Sequence, residues 1–280
     1  MRVLVTGVNG QLGYDVIKCL NSRNIECKGV DLNDFDITNF EQAHTNILDY
    51  LPSVVVHCAA YTAVDKAESE KELCYRVNVI GTQNIAYSCK EIQAKMVYIS
   101  TDYVFPGNGD KPYAVDDPTG PLGQYGITKL DGEHTVQELL DMYFIVRISW
   151  VFGKNGNNFV KTMLRLGKER DVLNVVGDQI GSPTYTVDLA ELLSYMIKTE
   201  KYGIYHATNE GTCSWAEFTR EIMSLAGYNT KVNSITTEEY PTKVVRPKNS
   251  RLSKDKLDRN GFERLPDWKD ALRRYMVESQ

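Results

Sequence analysis

RVLVTGVNGQLG, residues 2–13, joins a short β-branched run to a helix-like one through Gly7, Gly10 and Gly13 in a GxxGxxG spacing. The helical pattern runs from about Gln11 to Arg23, with Leu12, Val16, Ile17 and Leu20 on one face. A tight turn between a strand and a helix aims backbone N–H groups and the positive helix end at an anion. Glycine removes the side chains that would bar a diphosphate from approaching. Eighteen residues after Gly13, where the strand-like run ECKGVD ends, stands Asp31, whose carboxylate suits the diol of an adenosine ribose. The same charge disfavours a 2′-phosphate, so NADH is preferred with NADPH kept as the second choice. Asp36 and Ile37, in DFDIT, are placed for a contact near the adenine, and a helix cap accounts for the same letters equally well.

The turn is the first of several strand–helix alternations. SVVVHCAA (53–60) is a near-continuous apolar strand of the kind buried on both faces of a parallel sheet. A long helix is expected from about Ser69 to Glu91, then KMVYIST (95–101) as strand, 123–141 as helix and YFIVRIS (143–149) as strand. The expected fold is α/β, a doubly wound parallel sheet of Rossmann type. After Trp150 the rhythm changes to shorter elements, and 229–260 reads as polar and irregular. The chain therefore divides into residues 1–150, a dinucleotide-binding part carrying the reacting residues, and 151–280, a smaller α/β substrate-binding lobe with segments crossing back.

Composition narrows the classes. A formal charge of −5 over 280 residues offers no basic field for nucleic acid or a membrane surface. The apolar runs are too short to span a bilayer, and the first residues lack a signal-peptide pattern. Six cysteines without a CxxC and four histidines without an HxxxH point to reduced thiols in a cytoplasmic protein and to no metal centre.

YGITK (125–129) places Tyr125 and Lys129 at i and i+4, on one face of the expected helix. YISTDYVF brings Ser100 and Thr101 to the end of the preceding strand. These groups suit carbonyl reduction. A phenol, with an ordinary pKa near ~10, needs help to exchange protons at neutral pH, and an adjacent ammonium stabilises its phenolate. Thr101 would hold the carbonyl oxygen while Tyr125 protonates it, and Lys129 would also bond the nicotinamide ribose.

The glycine spacing, with HCAAYTAVDKAE (57–68), resembles the extended short-chain dehydrogenase/reductase superfamily. Ala59, Ala60, Tyr61 and Thr62 are then candidate cofactor contacts, although a well-packed strand end would also want alanine. AAYTAVDKAESE, ISTDYVFPG, YGITKLDGE, RISWVFG, VVGDQIGSPTYTVDLA, RPKNSRLSKDKL and LPDWKDALRRY, in this order, resemble the dTDP-4-dehydrorhamnose reductases over nearly the whole chain. That resemblance implies Thr101, Tyr125 and Lys129 as the catalytic set. It implies Gly10, Gln11 and Leu12 at the cofactor turn, with Asp31, Asp36, Ile37 and Ala60–Thr62 as further cofactor contacts. Thr101, Asp102 and Trp150 fall on the substrate side. The implied reaction reduces the 4-keto group of dTDP-4-dehydro-β-L-rhamnose to dTDP-β-L-rhamnose. Some members bind Mg²⁺ at a dimer interface; Asp15 and Glu278 match two of the positions, and the third falls near Val187, which cannot ligate. No metal is expected, and a homodimer is left open.

Other residues carry two readings. Arg246, in VRPKNS, suits a nucleotide diphosphate or a structural tie. Trp150 suits stacking on a sugar or base, or a core position. Asp188 reads as a dipole-compensating cap. Asn78 reads as a bridge to the active site or as an exposed helical residue. The competing functions are another extended short-chain sugar-nucleotide 4-ketoreductase or epimerase, and a non-catalytic subunit like the regulatory subunit of methionine adenosyltransferase. An intact Thr101/Tyr125/Lys129 set, in a chain that begins at its first strand, favours an enzyme.

Overall fold

Val3 and Val5 turn to one side of strand β1 (Arg2–Thr6) and Leu4 to the other, and all three are buried. Apolar groups on both faces of a strand require cover on both, which helices supply around a parallel sheet. This computed structural model describes residues 1–242 and 244–278.

After β1 come α1 (Gln11–Ser22), β2 (Glu26–Val30), α2 (Phe40–Tyr50), β3 (Val54–His57), α3 (Val64–Ala67) and α4 (Lys71–Tyr75). A π-helical stretch (Arg76–Gly81) leads into α5 (Thr82–Glu91), β4 (Lys95–Thr101), a 3-10 turn (Asp102–Val104), α6 (Gln124–Leu139) and β5 (Tyr143–Ile148). The next elements are β6 (Val151–Phe152), α7 (Phe159–Glu169), β7 (Val172–Val176), β8 (Ile180–Gly181), β9 (Thr184–Tyr185), α8 (Thr186–Met196) and β10 (Gly203–His206). Then follow β11 (Asn209–Glu210), β12 (Cys213–Ser214), α9 (Trp215–Ala226), β13 (Lys231–Ile235), β14 (Asn249–Ser250), α10 (Asp255–Arg259), β15 (Leu265–Asp267) and α11 (Trp268–Glu278).

Six strands form one parallel sheet in the order β10-β5-β4-β3-β1-β2. Leu12 and Val16 of α1 and Leu189 and Leu193 of α8 pack on one face. Ala43 and Ile47 of α2, Ile85 of α5 and Val136 of α6 pack on the other. The chain leaves β1 toward β2 and returns to β3 on the opposite side. That reversal opens a crevice at the carboxyl ends of the strands, where open α/β sheets take their ligands. A second core, built from residues such as Phe152, Leu173, Tyr185, Phe218 and Leu272, fills the smaller lobe beside the crevice.

The sixth strand of the sheet, β10, comes from residues 203–206, beyond Trp150. Three features depart from the sequence reading. The helix expected over 69–91 is interrupted by the π-helical stretch, a local rewinding often found at functional sites. Helix α2 escaped the periodicity because its buried residues are only Ala43 and Ile47, although Asn39 caps it by accepting from Gln42 N at 3.1 Å. The stretch 229–260 carries β13, β14 and α10, with β13 pairing alongside β7. Among the described residues, no helix is long and apolar enough to cross a membrane.

Candidate active site

The glycine turn follows from backbone requirements. Gly7 has φ +70°, and a Cβ there would stand 2.7 Å from Ala59 N, so β3 and the turn could not approach. Gly10 N donates to Gly7 O at 3.0 Å, closing the turn, and Asn9 N donates to Asp31 Oδ2 at 2.9 Å. Asp31 thus ties the second strand's end to the turn as well as facing the crevice. Asp36 Oδ1 accepts from Thr38 N at 2.8 Å, and Asp36, Ile37 and Thr38 line the same wall.

The reacting groups meet because β4 ends where α6 begins. Gly126 lets that helix press on the 3-10 turn, since a Cβ there would lie 2.3 Å from Tyr103 O. Thr101 Oγ1 accepts from Tyr103 N at 3.2 Å and donates to Asp102 Oδ1 at 3.0 Å. Burial pushes the Tyr125 phenol well above its ordinary value, and the Thr101 hydroxyl pulls it back. Tyr125 also meets the ring of Tyr103 edge-on, with centroids 5.6 Å apart. Lys129 is 2 % exposed and its ammonium lies over the Tyr98 ring at 4.0 Å. Burial brings that amine down to about 7, opposed first by the Glu133 carboxylate. Among the leading causes acting on Tyr125, the Thr101 hydroxyl is the one that lowers it.

Beneath this set lies a buried tie. Glu133 accepts from Arg147 Nε at 2.9 Å and Nη2 at 2.7 Å, and from Ser100 Oγ at 2.5 Å. It joins α6, β4 and β5 directly under Tyr125 and Lys129. Removing one partner of such a buried pair costs about 3–5 kcal/mol. The signal for it was legible: Glu133 continues the i, i+4 series from Tyr125 and Lys129, and Arg147 is a lone charge in an apolar strand. Asn78 forms a second tie. It is buried, and its amide accepts from Tyr61 N at 2.8 Å and donates to Tyr61 O at 3.2 Å and Thr128 Oγ1 at 3.1 Å. The exposed reading of Asn78 is therefore corrected; it links the loop after β3 to α6.

Nearly all the sequence-chosen residues border one cleft of about 1640 Å³. Gly7, Gly10, Gln11, Leu12, Gly13 and Asp31 line it, with Ala59, Ala60, Thr62, Thr101, Tyr125 and Lys129. Asp102, Trp150 and Arg246 line it as well. Tyr61 is the exception: its phenol turns to Glu70 Oε2 at 2.6 Å, and it does not line the cleft.

Asp102 is buried, and burial raises its carboxyl to about 6 against the hydroxyls of Ser250 and Thr101. Among the described residues its Oδ2 finds no hydrogen-bond partner. Trp150 stacks on Trp215 with centroids 3.6 Å apart and planes 14° from parallel. Nothing local announced Trp215, which lies far along the chain at the start of α9. Arg246 donates to Asp65 Oδ2 at 2.6 Å and to Tyr103 Oη at 2.9 Å, a structural tie at the cleft's edge. Asp188 proves more than a helix cap: it is buried and takes Arg274 at 2.7 and 2.8 Å and Asn209 Nδ2 at 2.7 Å.

At the positions implied for Mg²⁺, both carboxylates are engaged by hydroxyls of this chain. Asp15 Oδ2 accepts from Thr186 Oγ1 at 2.5 Å, and burial raises its carboxyl. Glu278 Oε2 accepts from Tyr185 Oη at 2.9 Å, and Val187 offers no donor atom. Among the described residues no three His, Cys, Asp or Glu side chains cluster as a metal site would require.

Comparison with known proteins places these features in a group. The family described as "RmlD substrate binding domain" matches residues 1–280. The chain is 42% identical over 277 residues to a spore coat polysaccharide biosynthesis protein, SpsK, of Bacillus subtilis (strain 168), covering 99% of this chain and 97% of that one. It is 41% identical over 285 residues to the dTDP-4-dehydrorhamnose reductase of Aggregatibacter actinomycetemcomitans, covering 97% of each. A crystal structure of dTDP-4-dehydrorhamnose reductase from Bacillus anthracis in complex with NADP superposes with a TM-score of 0.96, at 45% identity and 99% coverage of both chains.

Proposed function

This chain belongs to the RmlD substrate-binding-domain family, and from that premise we propose that it reduces the 4-keto group of dTDP-4-dehydro-β-L-rhamnose, giving dTDP-β-L-rhamnose. The observation that carries the reading is the convergence of Thr101, Tyr125 and Lys129 on one cleft with the glycine turn. At about 1640 Å³ the cleft exceeds the roughly 300–1,000 Å³ usual for one small ligand, which leaves room for a second beside the dinucleotide.

The residues present fit a nicotinamide dinucleotide: a glycine turn at a helix start faces the cleft, with Asp31 beyond it. When bound, the reduced nicotinamide supplies the hydride for carbon 4. Tyr125, kept protonated by burial, gives its proton to the 4-oxygen. Thr101 gives up its bond to Asp102 to hold that oxygen, and Lys129 in its ammonium form stabilises the phenolate left behind. Asp102 and Trp150 line the cleft on the substrate side, Trp150 as a platform for the sugar nucleotide. NADH is the preferred dinucleotide with NADPH accepted. The Asp31 carboxylate, on the wall with Leu32, Phe35, Asp36, Ile37 and Thr38, disfavours a 2′-phosphate, although Arg76 Nη2 donates to Thr38 Oγ1 at 3.1 Å on that wall and the Bacillus anthracis structure is in complex with NADP. The six free thiols suit the cytoplasm.

The test is turnover. The protein is given enzymatically prepared dTDP-4-dehydro-β-L-rhamnose with NADH or NADPH, and the product is identified by NMR. Formation of dTDP-β-L-rhamnose is expected. A product epimeric at carbon 4 would make this a different 4-ketoreductase, and no oxidation of either dinucleotide would leave the family resemblance without this activity.

A further inference from the structure

The loop GKNGNN, residues 153–158, belongs to the second half of the chain, yet it is tied to the back of the glycine turn. Asn155 Nδ2 donates to the carbonyl of Asn9 at 2.8 Å and to that of Gly10 at 3.2 Å. Asn158 caps α7 by accepting from Lys161 N at 2.9 Å, and its Nδ2 donates to Gln11 Oε1 at 3.1 Å and Gly153 O at 2.8 Å. Lys161 Nζ braces the loop through the carbonyls of Lys154 at 2.6 Å and Gly156 at 2.7 Å.

Peptide planarity turns these contacts into a statement about the cleft. The carbonyl of one residue and the N–H of the next lie in one rigid plane and point in opposite directions. Holding the carbonyls of Asn9 and Gly10 from behind therefore fixes the N–H groups of Gly10 and Gln11. The Gly10 N–H is spent on Gly7 O within the turn. The Gln11 N–H opens α1, where the orphan donors of a helix start face an anion.

We propose that Asn155 is a positioning residue for the dinucleotide diphosphate: by holding the carbonyls of Asn9 and Gly10 it orients the Gln11 N–H toward the phosphates. The inference rests on the reading above that this turn takes a dinucleotide. It also explains why a polar loop of the smaller lobe reaches across to the larger one. Asn158 secures the same loop to Gln11, and α7 then runs on to present Phe159, Met163 and Leu166 to the cleft.

The experiment compares wild type with Asn155→Ala and Asn155→Asp in the full chain. NADH and NADPH affinities are measured by fluorescence titration, dTDP affinity by calorimetry, and steady-state constants with the keto sugar. Asn155→Ala is expected to raise the dinucleotide Kd and KM about 3–10-fold, the worth of one or two net hydrogen bonds. The kcat and the dTDP affinity should move less. Asn155→Asp should weaken the dinucleotide further, because its carboxylate faces two carbonyls and the nearby phosphates. Dinucleotide affinities within twofold of wild type in both variants would overturn the proposal, as would an equal loss of dTDP and dinucleotide binding, which marks a merely structural loop. Wild type that binds neither dinucleotide would overturn the reading of the turn itself, and this inference with it.

Discussion

Trp215→Ala asks how the cleft holds Trp150. Trp150 leaves β5 with φ +50°, a left-handed backbone conformation that costs a non-glycine residue roughly 1–2 kcal/mol. The indole is kept there by its surroundings. Trp215 stacks on it at 3.6 Å, and a Cβ at Gly181 would stand 2.7 Å from its Cε2. Trp215 is itself fixed as the first residue of α9 by a capping box, in which Ser214 Oγ accepts from Glu217 N at 3.1 Å and Glu217 Oε2 accepts from Ser214 N at 2.7 Å. An aromatic pair contributes about 0.5–1.5 kcal/mol beyond its buried area, which converts to roughly 2–12-fold in binding. Because the stacked indoles neither donate the proton nor hold the reacting oxygen, that loss should fall on the KM for the sugar nucleotide, with kcat changing less. Initial rates at saturating dinucleotide give the split, and near-UV circular dichroism reports whether the signal of the stacked indoles is gone. Loss of that signal with an unchanged KM would refute the role given to Trp150.

Asp31→Asn removes the charge at the adenosine end while keeping an acceptor for Asn9 N, so the ratio of kcat/KM for NADPH to that for NADH should rise roughly tenfold; an unchanged ratio would place the discrimination elsewhere. The Lys129 amine predicts a pH dependence of stability in the protein free of cofactor. Its folded value of about 7 lies below the ordinary 10.5, so between these the unfolded chain holds a proton that the folded chain has released, and stability rises with pH across that window. Urea unfolding at pH 7 and pH 8, below the ordinary 9.0 at which raised thiols such as Cys58 begin to oppose the trend, should show this rise in wild type and a smaller one in Lys129→Met. Equal slopes would mean that Lys129 stays charged when buried.

Much of the site was legible because its parts are local. TGVNGQLG shows a strand, a turn and a helix within a dozen letters, and YGITK puts Tyr125 and Lys129 on one helix face by spacing alone. The strand end in STDY supplied Thr101. The missing parts depend on contacts between distant segments. Trp215 meets Trp150, Asn155 meets Gly10, and Asp188 meets Arg274 across loops whose course no periodicity records. Charge state was hidden for a similar reason: YGITK suggests an ammonium beside a phenol, but the depth at which the sheet and α6 bury Lys129 decides how readily that amine holds its proton. Tyr61 sat in the right loop, yet Glu70 draws its phenol away from the cleft.

The central claim is that Tyr125 donates the proton. Tyr125→Phe keeps the ring against Tyr103 and removes only the hydroxyl. Measured with dTDP-4-dehydro-β-L-rhamnose and saturating NADH, its kcat should fall about 10²–10⁴-fold, the range for loss of a positioned proton donor, with dinucleotide affinity little changed. A kcat within a few-fold of wild type would contradict the account.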